Sequence, residues 1–595
     1  MTSSPDLNNT RNDDGAPLLN VRGLTVAYGR DSVTAPAVAD VDLSIRRGEV
    51  VALVGESGSG KSTLAKAVIG LLPAAGQVSA GSITFDGREL TGLPDRAFRA
   101  LRGRRIALVP QDPGASLDPV QTIGSQVAEV FRLHPEGGRR LGGPPGRREL
   151  EDRVAELLEQ VGIDRPRERL RQYPHELSGG LKQRVLIAMA FALKPDLLIA
   201  DEPTSALDVT VQSRVLEVFE QLAGRYGTAV LFVTHDLAVA TDRASRIVVM
   251  QGGRIREDRS VDAILTAPED TYTVRLLAEA GAGQRTRAAV HPSPVPAPPP
   301  AVPASAVAPF TPAPPVPALE LRNLVKVFAR NGEHRAVNDV SLVLRQGTTF
   351  ALVGESGSGK TTTARLAMRL LDPTSGTIQV AGRDVTRADG RARRELWRSL
   401  QLVYQNPDTA LDPRLRVGEI IGEPLLNYGV GSRPERRARV ADLLDQVNLP
   451  AHTARARPLE LSGGQRQRVA IARALALGAK TLVLDEALSA LDVLTQAQVL
   501  DLLQSLQAEL GLSYLFISHD LHVVERISDD VGVMQNGQLV ETGPTADVFS
   551  APAHPYTRRL LAANPGHRLR RLAGSGYAAP LLSGSQPFPA PVPAR

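Results

Sequence analysis

The chain of 595 residues contains no cysteine. This absence excludes disulfide bonds, thiolate metal sites, cysteine-ligated iron–sulfur clusters and cysteine nucleophiles. Long apolar runs are also missing, because the best candidate for a membrane span, residues 185–200, is interrupted by Lys194, Pro195 and Asp196. The first residues lack the basic-then-apolar pattern of a secretory signal. We therefore expect a cytoplasmic protein whose residues 1–16 are a disordered start.

The chain has no strong charge of either sign. Its 69 Lys and Arg residues nearly balance 64 Asp and Glu residues, which leaves a formal net charge of +5. A charge this weak, spread over the whole chain, does not indicate nucleic acid or an anionic membrane as a partner. Apolar residues make up 42% and charged residues 22%, values typical of a globular protein. The length predicts two or more domains.

The chain is an internal duplication, because the same short motifs occur twice in the same order. The first copy also carries an extra Arg/Gly/Pro-rich stretch at residues 133–148, for which we expect a surface loop. The repeated motifs are GESGSGKS at 55–62 and GESGSGKT at 354–361, LSGG at 177–180 and 461–464, and SALDV at 205–209 and 489–493.

A proline-rich segment separates the two copies. Residues 291–317 hold 12 prolines and no Asp, Glu, Lys or Arg. Proline favours the extended polyproline II conformation, so we expect a semi-rigid spacer; the alternative is a ligand for SH3 or WW domains. The expected organisation is a first domain at 17–283, a linker at 284–317, a second domain at 318–573 and a disordered tail at 574–595.

Both copies alternate strand-like and helix-like segments. Each begins with an alternating strand pattern, at residues 18–29 and 319–328, and continues with an apolar strand, a glycine-rich turn and a helical segment. The segments LLIADEP and FVTHD indicate further buried strands. This alternation predicts an α/β fold in each copy, with a mostly parallel sheet covered by helices.

The glycine-rich turn has the full pattern GxxxxGK[ST] in both copies. Its glycines let backbone N–H groups surround phosphates, and Lys61 and Lys360 reach the β- and γ-phosphates. The hydroxyls of Ser62 and Thr361 suit Mg²⁺, and the following helix points its positive end at the nucleotide. The predicted nucleotide contacts of the two P-loops are Gly55, Glu56, Ser57, Gly58, Ser59, Gly60, Lys61, Ser62 and Thr63 in the first copy, and Gly354, Glu355, Ser356, Gly357, Ser358, Gly359, Lys360, Thr361 and Thr362 in the second.

An Asp-Glu pair ends an apolar strand in both copies, as Asp201-Glu202 and Asp485-Glu486. The first carboxylate of each pair suits Mg²⁺ or its water shell. The second suits a general base that orients and deprotonates an attacking water. Since each pair follows a P-loop and a buried strand, we predict that Asp201 and Asp485 bind metal and that Glu202 and Glu486 are catalytic.

LSGG precedes helix-like sequence in both copies. Its serine suits a helix N-cap, and its glycines expose backbone N–H groups at a positive helix end. The motif alone fits either an ordinary capped helix or a second anion site. Its equal spacing from the Asp-Glu pair in both copies favours the anion site, whose residues are Ser178, Gly179, Gly180, Ser462, Gly463 and Gly464.

With these motifs, the two copies resemble the nucleotide-binding domains of ABC transporters over nearly the whole chain outside the linker and termini. The resemblance implies two tandem ABC-type P-loop domains that pack head to tail and bind two ATP molecules with Mg²⁺. It also implies that Gln111 and Gln405 contact Mg²⁺ and the attacking water, and that His235 and His519 contact the γ-phosphate.

The resemblance further implies that Tyr28 and Phe328 stack on adenine, although each also fits a buried strand aromatic. The copies depart little from the family pattern. Leu181 stands where the second copy has Gln465, and Ala487 stands where the first copy has Pro203. Neither departure removes a charge, a P-loop lysine or a catalytic glutamate, so we expect both sites to be competent, with rates that need not be equal.

A finer resemblance is to the oligopeptide, dipeptide and nickel importers. It rests on QDPGASLDP at 111–119, QNPDTALDP at 405–413 and HPYTRRLL at 554–561, the last echoed as TYTVRLL at 271–277. It implies an ATPase subunit that powers import of di- or oligopeptides at the cytoplasmic face of a bacterial membrane. The implied partners are two separate membrane permeases and an extracytoplasmic substrate-binding protein, and no nucleic acid. The Cys-rich iron–sulfur motif common in that subfamily is excluded here.

Other functions fit part of this pattern. The cargo could be a nickel chelate or another non-peptide, and an exporter ATPase is a further alternative. A non-transport tandem ABC ATPase of the ribosome-associated type also has two fused domains, but a long, charged, helical linker is expected there. The uncharged proline-rich linker argues against that class.

Overall fold

The computed structural model describes residues 16–29, 35–134, 146–205, 207–281, 316–328, 334–489 and 491–574. The expected disordered start up to residue 15, the middle of the expected surface loop, the linker up to residue 315 and the tail after residue 574 lie outside these ranges. These described residues form two compact units, the first lying within 16–207, 211–277 and 566–574, the second within 208–210 and 278–565. Residues 566–573, expected in the second domain, thus belong to the first unit.

The first copy contains ten strands and eleven helices within its described residues. The strands are β1 (Leu19–Tyr28), β2 (Val38–Ile45), β3 (Val50–Val54), β4 (Gly76–Phe85), β5 (Arg88–Glu89), β6 (Ile106–Val109), β7 (Leu197–Asp201), β8 (Ala229–Thr234), β9 (Arg246–Gln251) and β10 (Arg254–Ser260). The helices are α1 (Lys61–Val68), α2 (Asp95–Arg99), α3 (Pro113–Ser116), α4 (Ile123–Leu133), α5 (Arg147–Gln160), α6 (Pro166–Arg169), α7 (Gly179–Phe191), α8 (Val209–Tyr226), α9 (Leu237–Arg243), α10 (Val261–Thr266) and α11 (Thr271–Gly281).

The first unit is built on two sheets. One is antiparallel, with the order β2-β1-β4-β5. The other has the order β10-β9-β3-β8-β7-β6, and only its β10–β9 pair is antiparallel. Strands β7 and β8 are buried along their whole length, as parallel strands covered on both faces are. The predicted α/β fold is confirmed, and the antiparallel sheet is an addition to it.

The second copy repeats the ten strands and most of the helices. Its strands are β11 (Leu319–Phe328), β12 (His334–Leu344), β13 (Thr349–Val353), β14 (Ser375–Val380), β15 (Arg383–Asp384), β16 (Leu400–Val403), β17 (Thr481–Asp485), β18 (Ser513–Ile517), β19 (Asp530–Gln535) and β20 (Gln538–Pro544). Its helices are α12 (Lys360–Ala367), α13 (Gly390–Ser399), α14 (Pro407–Ala410), α15 (Val417–Asn427), α16 (Arg433–Gln446), α17 (Gly463–Leu475), α18 (Val493–Leu510), α19 (Leu521–Ile527), α20 (Thr545–Ser550), α21 (Pro555–Ala562) and α22 (His567–Gly574).

The second unit has the same two sheets, β12-β11-β14-β15 and β16-β17-β18-β13-β19-β20. In both units the P-loop strand lies in the middle of the larger sheet, parallel to the strands that carry the Asp-Glu pair and the histidine. The carboxyl ends of parallel strands meet at one edge, and this places the motifs together. None of the helices described above combines the length and apolar character of a membrane span.

Candidate functional site

Each P-loop lies between the central strand and the helix that begins at its lysine. Gly60, the residue before α1, has φ +100°, and a Cβ there would lie 2.3 Å from the carbonyl oxygen of Ala37. Gly359 before α12 has φ +106° and would approach Ala336 to 2.4 Å. Only glycine fits both the left-handed backbone and the close approach. Glycine therefore permits the tight turn that leads into each helix. The N–H groups at the start of such a helix are the ones that can bind phosphate.

The P-loop lysines are buried and point back into their own loops. The ammonium group of Lys61 donates to the carbonyl oxygens of Gly55 and Glu56, both at 2.8 Å. Lys360 makes the same two bonds at 2.7 and 2.8 Å. Burial lowers the pKa of Lys360, although nearby carboxylates, Glu486 first among them, act in the opposite direction. The other predicted loop residues lie in the same turns and first helical turns: Ser57, Gly58, Ser59, Ser62, Thr63, Gly354, Glu355, Ser356, Gly357, Ser358, Thr361 and Thr362.

The predicted metal ligands meet in both units. The Ser62 hydroxyl donates to Oδ1 of Asp201 at 2.9 Å, and the Thr361 hydroxyl donates to Oδ1 of Asp485 at 3.1 Å. Burial raises the pKa of both aspartates, more than the hydroxyl hydrogen bonds lower it. Within the described residues no three Asp, Glu or His side chains cluster as a ready-made metal site. The oxygen donors fit Mg²⁺, which commonly takes one or two protein ligands beside phosphate oxygens and water.

The next residue, Glu202, is held in place by two side chains. Gln111 donates from Nε2 to Oε2 at 3.0 Å, and Nδ1 of His235 lies 3.1 Å from Oε1. The backbone of Glu202 has φ 46°, a left-handed conformation that is uncommon for a non-glycine residue and is often found at functional sites. The carboxylate of this residue faces both the glutamine and the histidine.

Glu486 has the same surroundings in the second unit. Gln405 donates to its Oε2 at 2.7 Å, Nδ1 of His519 lies 3.5 Å from the same oxygen, and φ is 48°. The sequence-predicted glutamine, glutamate and histidine are therefore brought together twice.

Two opposing effects shift the pKa of these acidic and basic groups. Burial favours the neutral form of both Glu202 and His235, but their mutual hydrogen bond and charge outweigh it. The pKa of Glu202 lies below its ordinary 4.5, and that of His235 lies above 6.5. The directions are the same for Glu486 and His519. The arrangement favours a carboxylate that faces an imidazolium.

This pairing predicts a pH-dependent stability. The raised histidine pKa and lowered glutamate pKa give a contribution that is complete between about pH 4.5 and 6.5. It is lost as the pH rises above 6.5 through the histidine pKa, and as it falls below 4.5 through the glutamate pKa. We expect the difference in Tm between the wild type and a Glu202→Gln, Glu486→Gln variant, measured without nucleotide, to be largest near pH 6 and to shrink by pH 9. A difference that stays constant over this range would contradict the pairing.

LSGG caps a helix in both copies. The Ser178 hydroxyl accepts from the N–H of Leu181 at 3.4 Å at the start of α7. Ser462 accepts from Gln465 at 3.3 Å, and the Gln465 side chain accepts in return from the Ser462 N–H at 2.9 Å. Leu181 has no such acceptor, so only the second helix has the reciprocal capping box. The N-cap prediction is confirmed, while binding of an anion by Gly179, Gly180, Gly463 and Gly464 stays a prediction.

The two aromatic residues lie at the ends of the first strand of each copy. The Tyr28 hydroxyl is 3.1 Å from Oγ1 of Thr63, just after the P-loop. Phe328 is 38% exposed, with the Lys326 ammonium 5.2 Å from its ring centre. Neither ring is fully buried, which argues against the alternative of a buried strand aromatic.

One further pair of residues, not predicted from the sequence, contacts the P-loops. Tyr272 accepts a hydrogen bond from the N–H of Glu56 at 2.9 Å, and Tyr556 accepts one from Glu355 at 3.0 Å. The available signal was the repeat of TYT in the first copy as PYT in the second, at the same distance after the respective histidine.

Comparison with known proteins gives two family matches. The chain matches the ABC transporter family at residues 38–205 and 337–489. It matches the C-terminal region of oligopeptide/dipeptide transporters at residues 540–581. The second match includes most of β20 and all of α20, α21 and α22, and with them Tyr556.

Curated relatives are similar over nearly the whole chain. The oligopeptide transport ATP-binding protein OppD of Mycobacterium tuberculosis is 44% identical over 92% of this chain and 98% of its own length. The glutathione import ATP-binding protein GsiA of Pectobacterium atrosepticum is 43% identical over 92% and 89%. The peptidoglycan transport ATP-binding protein YejF of Agrobacterium fabrum is 44% identical over 92% and 96%.

Proposed function

This chain belongs to the ABC transporter family as an ATP-hydrolysing subunit, and we propose that it powers a bacterial importer of di- and oligopeptides. The cargo proposal is supported by the match to the oligopeptide/dipeptide transporter C-terminal region. Relatives named for oligopeptide and glutathione agree with a peptide-like cargo.

The observation that carries the catalytic proposal is the cluster of glutamine, glutamate and histidine beside each P-loop. A water held by Gln111 and Glu202 attacks the γ-phosphorus in line, Glu202 accepts its proton, and the bond to the β-phosphate oxygen breaks. Lys61 offsets the negative charge, and His235 holds the γ-phosphate through the ring atoms that do not face Glu202. Mg²⁺, when bound, neutralises charge on the β- and γ-phosphate oxygens.

The second unit carries the same groups, and we assign them the same roles. Gln405 and Glu486 act on the water, His519 on the γ-phosphate and Lys360 on the developing charge. Ser62 with Asp201 and Thr361 with Asp485 would hold Mg²⁺, and Gln111 and Gln405 would contact the metal. Tyr28 and Phe328 would stack on adenine. Ser178 and Ser462, with the glycines after them, present helix N-termini to phosphate.

The proposed partners are two permeases and an extracytoplasmic substrate-binding protein, which place this subunit at the cytoplasmic face of the membrane. A groove in the second unit supports the permease contact. It encloses about 300 Å³ and is lined by Leu370, Trp397, Tyr404 and Tyr428. Leu370 is 44% and Tyr404 50% exposed, and such apolar exposure is typical of a binding groove. The groove adjoins the importer-like segment at 405–413, and we propose that a permease helix occupies it.

Leu370→Asp is expected to weaken the association with the permeases about tenfold or more, because a charge would be buried unpaired. ATP binding by the free subunit should be unchanged. Val343→Asp is the matched control, since Val343 is also 44% exposed but lies on β12, outside the groove. Equal permease association of the two variants would contradict this docking site.

The transport proposal is tested by purifying the chain from native membranes with bound ATP and identifying its partners by mass spectrometry. Two polytopic permeases, followed by peptide-stimulated ATP hydrolysis of the reconstituted complex, are the expected result. If a nickel chelate and not a peptide stimulates ATP hydrolysis by the reconstituted complex, the proposed cargo becomes the nickel chelate. Ribosomal proteins without permeases would overturn the transport role.

A further inference from the structure

One peptide unit in the first P-loop is held at both ends. Its carbonyl, that of Gly55, accepts a hydrogen bond from the ammonium group of Lys61 at 2.8 Å. Its N–H, that of Glu56, donates to the hydroxyl of Tyr272 at 2.9 Å. Because a peptide unit is planar, the direction of the N–H fixes the direction of the carbonyl. The tyrosine hydroxyl therefore determines where the carbonyl that receives the lysine points.

The second unit contains the same arrangement. Lys360 donates to the carbonyl of Gly354 at 2.7 Å, and the N–H of Glu355 in the same peptide unit donates to Tyr556 at 3.0 Å. Tyr272 and Tyr556 are 4% and 3% exposed. Burial raises the pKa of Tyr556 to about 12, so its hydroxyl stays neutral at physiological pH. The duplicated protein therefore has this tyrosine contact at both of its P-loops.

The segments that carry the tyrosines are tied to the sheets that carry the P-loops. In the first unit the Glu257 carboxylate on β10 accepts from the N–H groups of Glu269 and Asp270 at 3.0 and 3.2 Å, just before α11. Glu541 on β20 accepts two equivalent bonds at 2.7 and 3.0 Å, just before α21. Strands β9 and β19 connect these anchors to the P-loop strands. The hydroxyl of each tyrosine is thus fixed relative to the loop it contacts.

We propose that Tyr272 and Tyr556 are positioning residues for ATP: each orients the peptide that places the P-loop lysine, and so sets the affinity for the nucleotide. The proposal gives the C-terminal segment of each copy a direct role in nucleotide binding. It rests on the proposed ATPase function. Without the hydroxyl, the Gly–Glu peptide loses one of its two fixed ends and can rotate. The lysine then loses a defined position opposite the β- and γ-phosphates.

The test is a Tyr272→Phe, Tyr556→Phe variant of the full chain, which removes two oxygen atoms and keeps the rings. We expect the KM for ATP and the Kd of a fluorescent ATP analogue to rise about fivefold, the effect of one lost buried hydrogen bond at each site. The kcat should fall less than the affinity does, because the groups that act on the water are untouched and each lysine keeps its second loop contact, to the carbonyl of Glu56 or Glu355.

Tyr514→Phe is the matched control for lost stability. Tyr514 is fully buried on β18, and its hydroxyl donates to the carbonyl of Leu503 at 2.8 Å, so the change removes a buried hydrogen bond without touching a P-loop. It should lower the Tm and leave the KM unchanged. An unchanged KM and Kd in the Tyr272→Phe, Tyr556→Phe variant would overturn the positioning role, whatever its Tm. A wild-type chain that neither binds nor hydrolyses ATP would instead overturn the proposed function.

Discussion

A chain with Glu202→Gln and Glu486→Gln is expected to bind ATP normally and to hydrolyse it about 100- to 10,000-fold more slowly. The amide keeps the size of the carboxylate and its contact with the neighbouring glutamine, but it does not accept a proton from water. The phosphate contacts of the P-loop lysines and serine or threonine hydroxyls are unaffected. The variant should therefore lose ATP hydrolysis while it keeps its affinity for ATP.

The measurement is phosphate release by the purified full chain, with binding followed separately by a fluorescent ATP analogue. Glu395→Gln on α13 is the control, since this glutamate is exposed and outside both sites. The two single variants should each retain part of the activity. Hydrolysis at the wild-type rate in the double variant would refute the assignment of these glutamates.

Lys61→Ala with Lys360→Ala is expected to raise the Kd for ATP about 100-fold or more. Each lysine is buried in its loop, where the P-loop motif places its ammonium group opposite the β- and γ-phosphates. Its removal leaves phosphate charge without a partner in a poorly solvated site. Hydrolysis at saturating ATP should also fall, because the lysine offsets charge in the transition state.

Titration with the fluorescent analogue gives the Kd, and Lys66→Ala provides the control. Lys66 lies on the same helix, α1, but it is exposed and does not contact the loop carbonyls. A chain without both P-loop lysines that binds ATP as tightly as the Lys66→Ala chain would show that nucleotide is bound elsewhere.

The predictable part of the structure is the part set by local sequence. Strands β7 and β8 are buried throughout, as their continuous apolar sequences predict, because such strands lie inside a parallel sheet that is covered on both faces. The glycines of the P-loop are required by the backbone itself, as the close approach at Gly60 illustrates. The meeting of Ser62 with Asp201 follows from the parallel order of the strands that precede them.

The unpredicted part depends on contacts between distant segments. Tyr272 accepts a hydrogen bond from the N–H of Glu56, 216 residues away. The repeated TYT and PYT spacing marks the tyrosine, but it does not say which segment its hydroxyl contacts. The separate antiparallel sheet is not predictable from the sequence for a related reason. The pattern predicts that β1 and β11 are strands, but it does not say with which other strands they pair. The left-handed backbone of Glu202 and Glu486 likewise depends on the turn after the strand and not on a residue type that favours it.

The difference between Leu181 and Gln465 affects how long the first turn of each LSGG helix stays ordered. The first turn of α17 is closed by two hydrogen bonds that support each other, whereas the first turn of α7 depends on one. A singly closed turn frays more often, so its amides spend a smaller share of their time pointing where a phosphate would meet them. The two LSGG elements thus have different lifetimes in their ordered form. We therefore expect the backbone amides at the start of α7 to exchange their hydrogens with solvent faster than those at the start of α17.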